Sequence, residues 1–205
     1  MRTDVPMTRP DLQGTETAVE PSGEARPIGP GFHADLQIEG LVDQSDVLRA
    51  LYPPTESGRL VESGRLVETG RLVETVQATV VAAVSLVDCG RGTVTVRLCD
   101  DEAIHAINRQ FLKHDYPTDV ISFPYALDPP TVEGELVVSW ETARNSAKSY
   151  GHSVKEELLL YVAHGCLHLC GFDDQDPSSR EQMRRAERAV MDRLRRENVI
   201  TEESK

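Results

Sequence analysis

No stretch of this chain is apolar for long enough to cross a bilayer. The longest candidate, Leu158 to Phe172, is about fifteen residues and is broken by two histidines, against the ~20 that a spanning helix needs. The first twenty residues contain no apolar segment of the kind a secretory signal carries, so export is not expected. Cysteine is scarce: four stand at 89, 99, 166 and 170, too few and too unevenly spaced for a disulfide framework in a chain of 205 residues. The expectation is a cytoplasmic protein with reduced thiols and no membrane partner. Positive charge is also in deficit. With 22 basic side chains against 34 acidic ones the net charge is −12, which excludes a chain-wide electrostatic grip on nucleic acid but not a local basic patch.

Residues 1–31 hold five of the twelve prolines and four glycines with no hydrophobic period. Ordering them would cost entropy that burial cannot offset, so a disordered tail is expected there. The remainder, 32–200, reads as a single domain. Phe32 to Glu39 alternates apolar and polar residues as a half-buried strand does. From Ser57 a hexamer occurs three times, SGRLVE, SGRLVE and TGRLVE, too short for a solenoid and read as a local duplication within an insertion at about 41–74. Val76 to Val87 follows as an apolar helix and Thr93 to Cys99 as a strand of β-branched and polar residues in alternation. Asp100, Asp101 and Glu102 then place acid at the start of an amphipathic helix carrying Ile104, Ile107, Phe111 and Leu112.

Val120 to Tyr125 and Glu135 to Trp140 are two further strand-like runs separated by Pro129, Pro130 and Gly134. Ser153 with Glu156, and Ser178 with Glu181, have the spacing of capping boxes and predict two helix starts. The first of these helices is apolar almost all round and belongs in the middle of the fold; the second gathers Met183, Ala186, Val190 and Leu194 on one face. The fold class is therefore α/β (α+β): a small mixed sheet of about four strands, a buried central helix and flanking helices.

The central helix ends in His164-Gly165-Cys166-Leu167-His168-Leu169-Cys170-Gly171-Phe172-Asp173-Asp174. Histidines four apart lie about 40° apart around a helix axis, one turn above the other, so both imidazoles can reach one cation. Gly171 can end the helix at positive φ and return the chain, bringing a carboxylate from Asp173 or Asp174 as third ligand. The pattern H-x-x-x-H-x-x-G-x-x-D follows the long zincin motif, but Gly165 stands where those proteases carry their general base. Three protein ligands leave a position for water, the open arrangement of catalytic zinc. Water held by the cation is thus the attacking species, with no side-chain base identified. Cys166 and Cys170 each stand about 200° from a histidine and cannot share its metal; all four cysteines read as small buried hydrophobes.

HGCLHLCGFDD resembles the H-G-x-L-H-L-x-G-[YF]-D-H signature of the YbeY family, bacterial endoribonucleases of ribosomal RNA maturation. Asn108 to Pro124, NRQFLKHDYPTDVISFP, is similar to that family's N-x-x-[FY]-x-x-x-D-x-P-T-D-V-L-S-F-P, and Gly134 to Val138 to its G-D-I-V-I strand. The resemblance spans roughly 93–198. It implies a single-strand-specific, metal-dependent endoribonuclease acting in maturation of the 16S 3′ end and in ribosome quality control, with ribosomal RNA and the small ribosomal subunit as partners. It places one Zn2+ on His164 and His168 and aligns Asp174 with the family's third histidine, the oxygen donor extending the choice of ion to Mn2+. Leu112 departs from the arginine that many members carry, and Arg109, Lys113, His114 and Ser122 are the remaining substrate-cleft candidates.

Two other readings fit the same residues: a zinc hydrolase of a non-nucleic-acid substrate such as a peptide, and a non-catalytic ribosome-assembly factor braced by metal. The last helical segment holds seven of the eighteen arginines, Arg180, Arg184, Arg185, Arg188, Arg193, Arg195 and Arg196, against four acids. A solvated face of Glu–Arg pairs is the ordinary outcome of such a pattern, and contact with RNA is the functional one.

Overall fold

The computed structural model describes residues 32–38, 47, 51, 62–87, 89–128 and 130–200. The expected tail at 1–31 and much of the expected insertion at 41–74 lie outside the described residues. Strands β1 (Phe32–Ile38), β2 (Arg91–Cys99), β3 (Val120–Asp128) and β4 (Thr131–Ser139) form one mixed sheet in the order β1-β2-β4-β3. β1, β2 and β4 are parallel neighbours, and β3 closes an antiparallel hairpin onto β4 with a bulge between Pro124 and Ala126. The helices are α1 (Glu62–Val84), α2 (Asp101–Ile107), α3 (Trp140–Tyr150), α4 (Val154–Leu169) and α5 (Pro177–Arg196). A mixed four-stranded sheet around a buried helix is the architecture expected from the pattern.

Alternation along the strands sorts side chains to two faces. Leu136 and Val138 enter the main core with α4, whereas Val137 joins a smaller cluster with Cys99, Ile104 and Ile121 beneath α2 on the other face. α1 and α4 cover the first face, and α5 packs on both of them. α4 is enclosed on nearly every side: Leu158, Leu159, Val162, Ala163, Cys166 and Leu167 are fully buried, as its composition required. Among the described residues no helix is long and apolar enough to cross a membrane.

Several elements differ from the sequence expectation for identifiable reasons. α1 begins at Glu62 rather than near Val76, so residues 62–74 of the expected insertion are helical, and Leu72 is buried in the core. Burial of that apolar face outweighs the cost of about 1 kcal/mol for a glycine inside a helix. Trp140 opens α3 rather than ending a strand, because the Ser139 hydroxyl accepts from the Thr142 N–H at 3.1 Å and caps the first turn. α5 is capped by Asp176, not Ser178: its Oδ1 accepts from the N–H groups of Ser178 and Ser179, with Pro177 pre-set for the first helical position. α2 widens after Ile107 into a π-helical turn, Asn108–Leu112, which ends at Lys113 in a left-handed conformation (φ 63°).

Candidate metal centre

α4 starts with the predicted capping box. The Glu156 N–H donates to Ser153 Oγ at 3.1 Å, and the Glu156 carboxylate reaches back to the Ser153 N–H. Its far end closes as the glycine required. Gly171 adopts φ 91°, its N–H donates to the His168 carbonyl, and the Phe172 N–H donates to the Leu167 carbonyl, both at 3.0 Å. These are the paired bonds of a Schellman ending, which reverses the chain sharply. The next residues divide the work of the two acids. Asp173 Oδ1 accepts from the backbone N–H groups of Asp174 and Gln175, while the Asp174 side chain is buried beside the histidines. Arg180 steadies this turn from α5, its Nε–H donating to the Asp174 carbonyl at 3.0 Å and Nη2 to that of Gln175 at 2.9 Å.

His164, His168 and Asp174 thus present one donor atom each, all within 4.8 Å of one another. The two Nε2 atoms are 3.0 Å apart with the rings perpendicular, and Asp174 Oδ1 lies 3.9 Å from His168 Nε2. The outer nitrogens fix which tautomers these are. His168 Nδ1 faces the Phe172 carbonyl at 3.0 Å, an acceptor that requires the proton on Nδ1. His164 Nδ1 faces Glu187 Oε1 at 2.7 Å, and an ionised carboxylate likewise requires the proton there. Both Nε2 atoms therefore face one point together with a carboxylate oxygen. Such a cluster of acceptors calls for a cation at its centre. Tetrahedral zinc at ~2.0–2.1 Å from each donor would space them by roughly 3.3 Å, within the range observed, so the residues fit the ion.

His164 and Asp174 are 7% and 5% exposed, whereas the His168 side chain retains 23% of its surface, so the centre opens to solvent on one side. The four cysteines are buried and outside this group. Burial, then the charge of Asp100, pushes the Cys99 thiol up to about 12; burial also raises Cys166, and a hydrogen bond with Cys89 followed by burial raises Cys170. Protonated thiols are poor metal ligands, in keeping with their reading as small hydrophobes.

Gly165 faces the sheet. A Cβ there would come within 2.9 Å of Leu136 Cδ2, 3.0 Å of Val120 Cγ2 and 3.2 Å of Ser122 Oγ. The helix thus sits tight against β3 and β4 at the position where a zincin carries its base, and a glutamate would run into the core rather than toward the cation.

The other cleft candidates are dispersed. Ser122 borders the centre, its hydroxyl donating to the Gly165 carbonyl at 3.2 Å, one residue from His164. Arg109 lies on the π-helical turn, Lys113 donates to the Gln110 carbonyl, and the His114 ring stacks on Tyr116 with centroids 5.4 Å apart; none of the three is brought into the histidine–aspartate group. Leu112 packs against the smaller cluster beneath α2. Glu187 is the functional residue that sequence reasoning passed over as one more surface acid. Its signal was position: it shares the face of α5 that carries the buried Met183, Ala186, Val190 and Leu194. An acid in an apolar stripe needs a polar partner, and His164 is that partner.

Residues 62–195 match the family described as Endoribonuclease YbeY. A curated Endoribonuclease YbeY from Rhodopirellula baltica is 61% identical over 113 residues, 54% of this chain and 58% of that protein, so the match spans less than two thirds of that relative. One of the same name from Bacteroides thetaiotaomicron is 40% identical over 100 residues, 49% of this chain and 72% of that one. A solution structure of a Thermotoga maritima protein is similar at 25% identity and a TM-score of 0.42, covering 83% of this chain and 99% of that one.

Proposed function

The chain belongs to the YbeY endoribonuclease family, and from that premise we propose that it is a metal-dependent endoribonuclease cutting single-stranded RNA, ribosomal RNA foremost, with the small ribosomal subunit as its setting. His164, His168 and Asp174 would hold one divalent cation, Zn2+ or, through the oxygen donor, Mn2+. The observation that carries this reading is the convergence of two imidazole nitrogens and a buried carboxylate within 4.8 Å. When bound, such an ion supplies Lewis acidity toward a phosphoryl oxygen and activation of water for hydrolysis.

The chain's own residues do the rest by position. Glu187 and the Phe172 carbonyl keep a proton on Nδ1 of each histidine, so that Nε2 stays available. The Schellman ending and Arg180 set where Asp174 stands. The exposed edge of His168 leaves the approach from solvent on that side. A peptide hydrolase lacks support at position 165, where the neighbouring strands leave no room for a basic side chain. A purely structural metal is ordinarily closed by four protein ligands, and among the described residues three converge.

The test is cleavage by the metal-loaded protein of a single-stranded RNA, the same RNA in duplex form, and a peptide mixture. Cleavage of the single strand alone, abolished by a chelator and restored by Zn2+ or Mn2+, is the expected result; peptide turnover without RNA turnover would overturn the reading. The oxygen donor makes a second prediction. Asp174→His exchanges a hard anionic ligand for a softer neutral one and should raise the preference for Zn2+ over Mn2+ on the order of tenfold in competition binding. An unchanged preference would remove Asp174 from the ligand set.

A further inference from the structure

α4 and α5 run antiparallel, and the contacts between them come in sequence: Arg195 with Glu156, Glu187 with His164, Arg180 with the Asp174 carbonyl. Between the first and second of these contacts lies a groove of about 330 Å³. Leu160 and Met191 line it as apolar members, and Arg184, Arg188 and Arg195 line it from α5. Glu187 lines it too, and the same carboxylate accepts from His164. One side chain therefore separates the groove from the candidate metal centre. Along α4 the distance from Glu156 to His164 is eight residues, a rise of about 12 Å.

The charge of the groove is unusual for this molecule. The chain carries a net −12, yet three guanidinium groups meet along this one depression. The acids there are already committed: Glu187 to His164, and Glu156 to the Ser153 N–H and Arg195. The pairs that Arg188 makes with Glu181 and Arg195 with Asp192 are exposed. Exposed pairs of this kind contribute about 0–1 kcal/mol and exchange readily for a stronger anion. Arg184 makes no ion pair among the described residues. Guanidinium groups bind phosphate bidentately, and three of them spread along one helix suit a strand that carries several phosphates.

The geometry points to the α4–α5 groove as a track for the phosphate backbone of the RNA strand, held by Arg184, Arg188 and Arg195 on the side of Glu187 away from the metal centre. This rests on the nuclease reading and adds to it a backbone-binding surface outside the metal centre. The three arginines bind the strand; none of them acts on the scissile bond.

The test is fluorescence anisotropy of the full, Zn2+-loaded chain with a labelled single-stranded RNA, at several salt concentrations, with the RNA checked for integrity after each reading. Arg184→Gln and Arg188→Gln should each flatten the plot of log affinity against log salt by roughly 0.7, one phosphate contact on a single strand. Arg185→Gln, which lies outside the groove, should match wild type. In cleavage, the groove variants should raise KM with kcat retained, as expected for contacts made equally before and during the reaction. Groove variants indistinguishable from Arg185→Gln, in a protein that still binds and cuts RNA, would overturn the track while leaving the nuclease reading intact. A metal-loaded wild type that neither binds nor cuts RNA would overturn both.

Discussion

His168→Ala is expected to yield a folded protein that has lost its metal and, with it, RNA cleavage. The side chain supplies one of three converging donors. Zinc sites of four protein ligands are worth on the order of 10–16 kcal/mol in total, so one donor carries about 2.5–4 kcal/mol, a loss of affinity of roughly one hundred- to one thousandfold. The structural cost is much smaller. His168 is partly exposed, and truncation removes one hydrogen bond, to the Phe172 carbonyl, worth about 0.5–1.5 kcal/mol. The Schellman bonds from Gly171 and Phe172 to the helix end are backbone bonds and survive the change. Elemental analysis after gel filtration, circular dichroism melting and RNA cleavage on wild type and variant together separate these effects. A variant that keeps a full equivalent of metal would remove His168 from the site, and one that loses metal but still cuts RNA would separate the chemistry from the ion.

What could be read from the sequence, and what could not, follows the range of the interactions involved. The histidine spacing, the glycine after them and the capping box at Ser153 are local features whose consequences are decided within one or two turns of helix, and each appears in the structure as the spacing required. Burial of α4 was also legible, because a helix apolar on every side has no face to give to water. The choice between Asp173 and Asp174 was not legible from spacing. It depends on which carboxylate the turn spends on its own backbone, and Asp173 is the one so used. The early start of α1 and the role of Gly165 depend on partners far away in sequence: the core that receives Leu72, and the β3–β4 hairpin against which α4 closes. Glu187 lay in the same blind spot, since its partner is 23 residues earlier on another helix.

That distant partner makes Glu187 the second position of large expected effect, and there metal binding and stability should both fall. The residue is a buried carboxylate among Met183, Ala186, Val190 and Met191, a costly place for a charge, and its 2.7 Å bond to His164 Nδ1 offsets part of that cost. Carboxylates behind a metal-binding imidazole hold its tautomer and raise its basicity, and their loss typically weakens metal binding 10- to 100-fold. Glu187→Gln keeps an oxygen able to accept from Nδ1 but removes the charge, so about tenfold weaker metal binding is expected. Glu187→Leu removes the acceptor as well, releases the ring to other tautomers and should approach one hundredfold. In the metal-free protein Glu187→Leu also leaves the buried His164 Nδ1 without its acceptor, so stability should fall by about 1–3 kcal/mol. Metal titration and melting of the metal-free proteins test the pair of effects at once. If both variants bind metal as wild type does while melting lower, Glu187 serves the packing of α5 on α4 and not the orientation of His164.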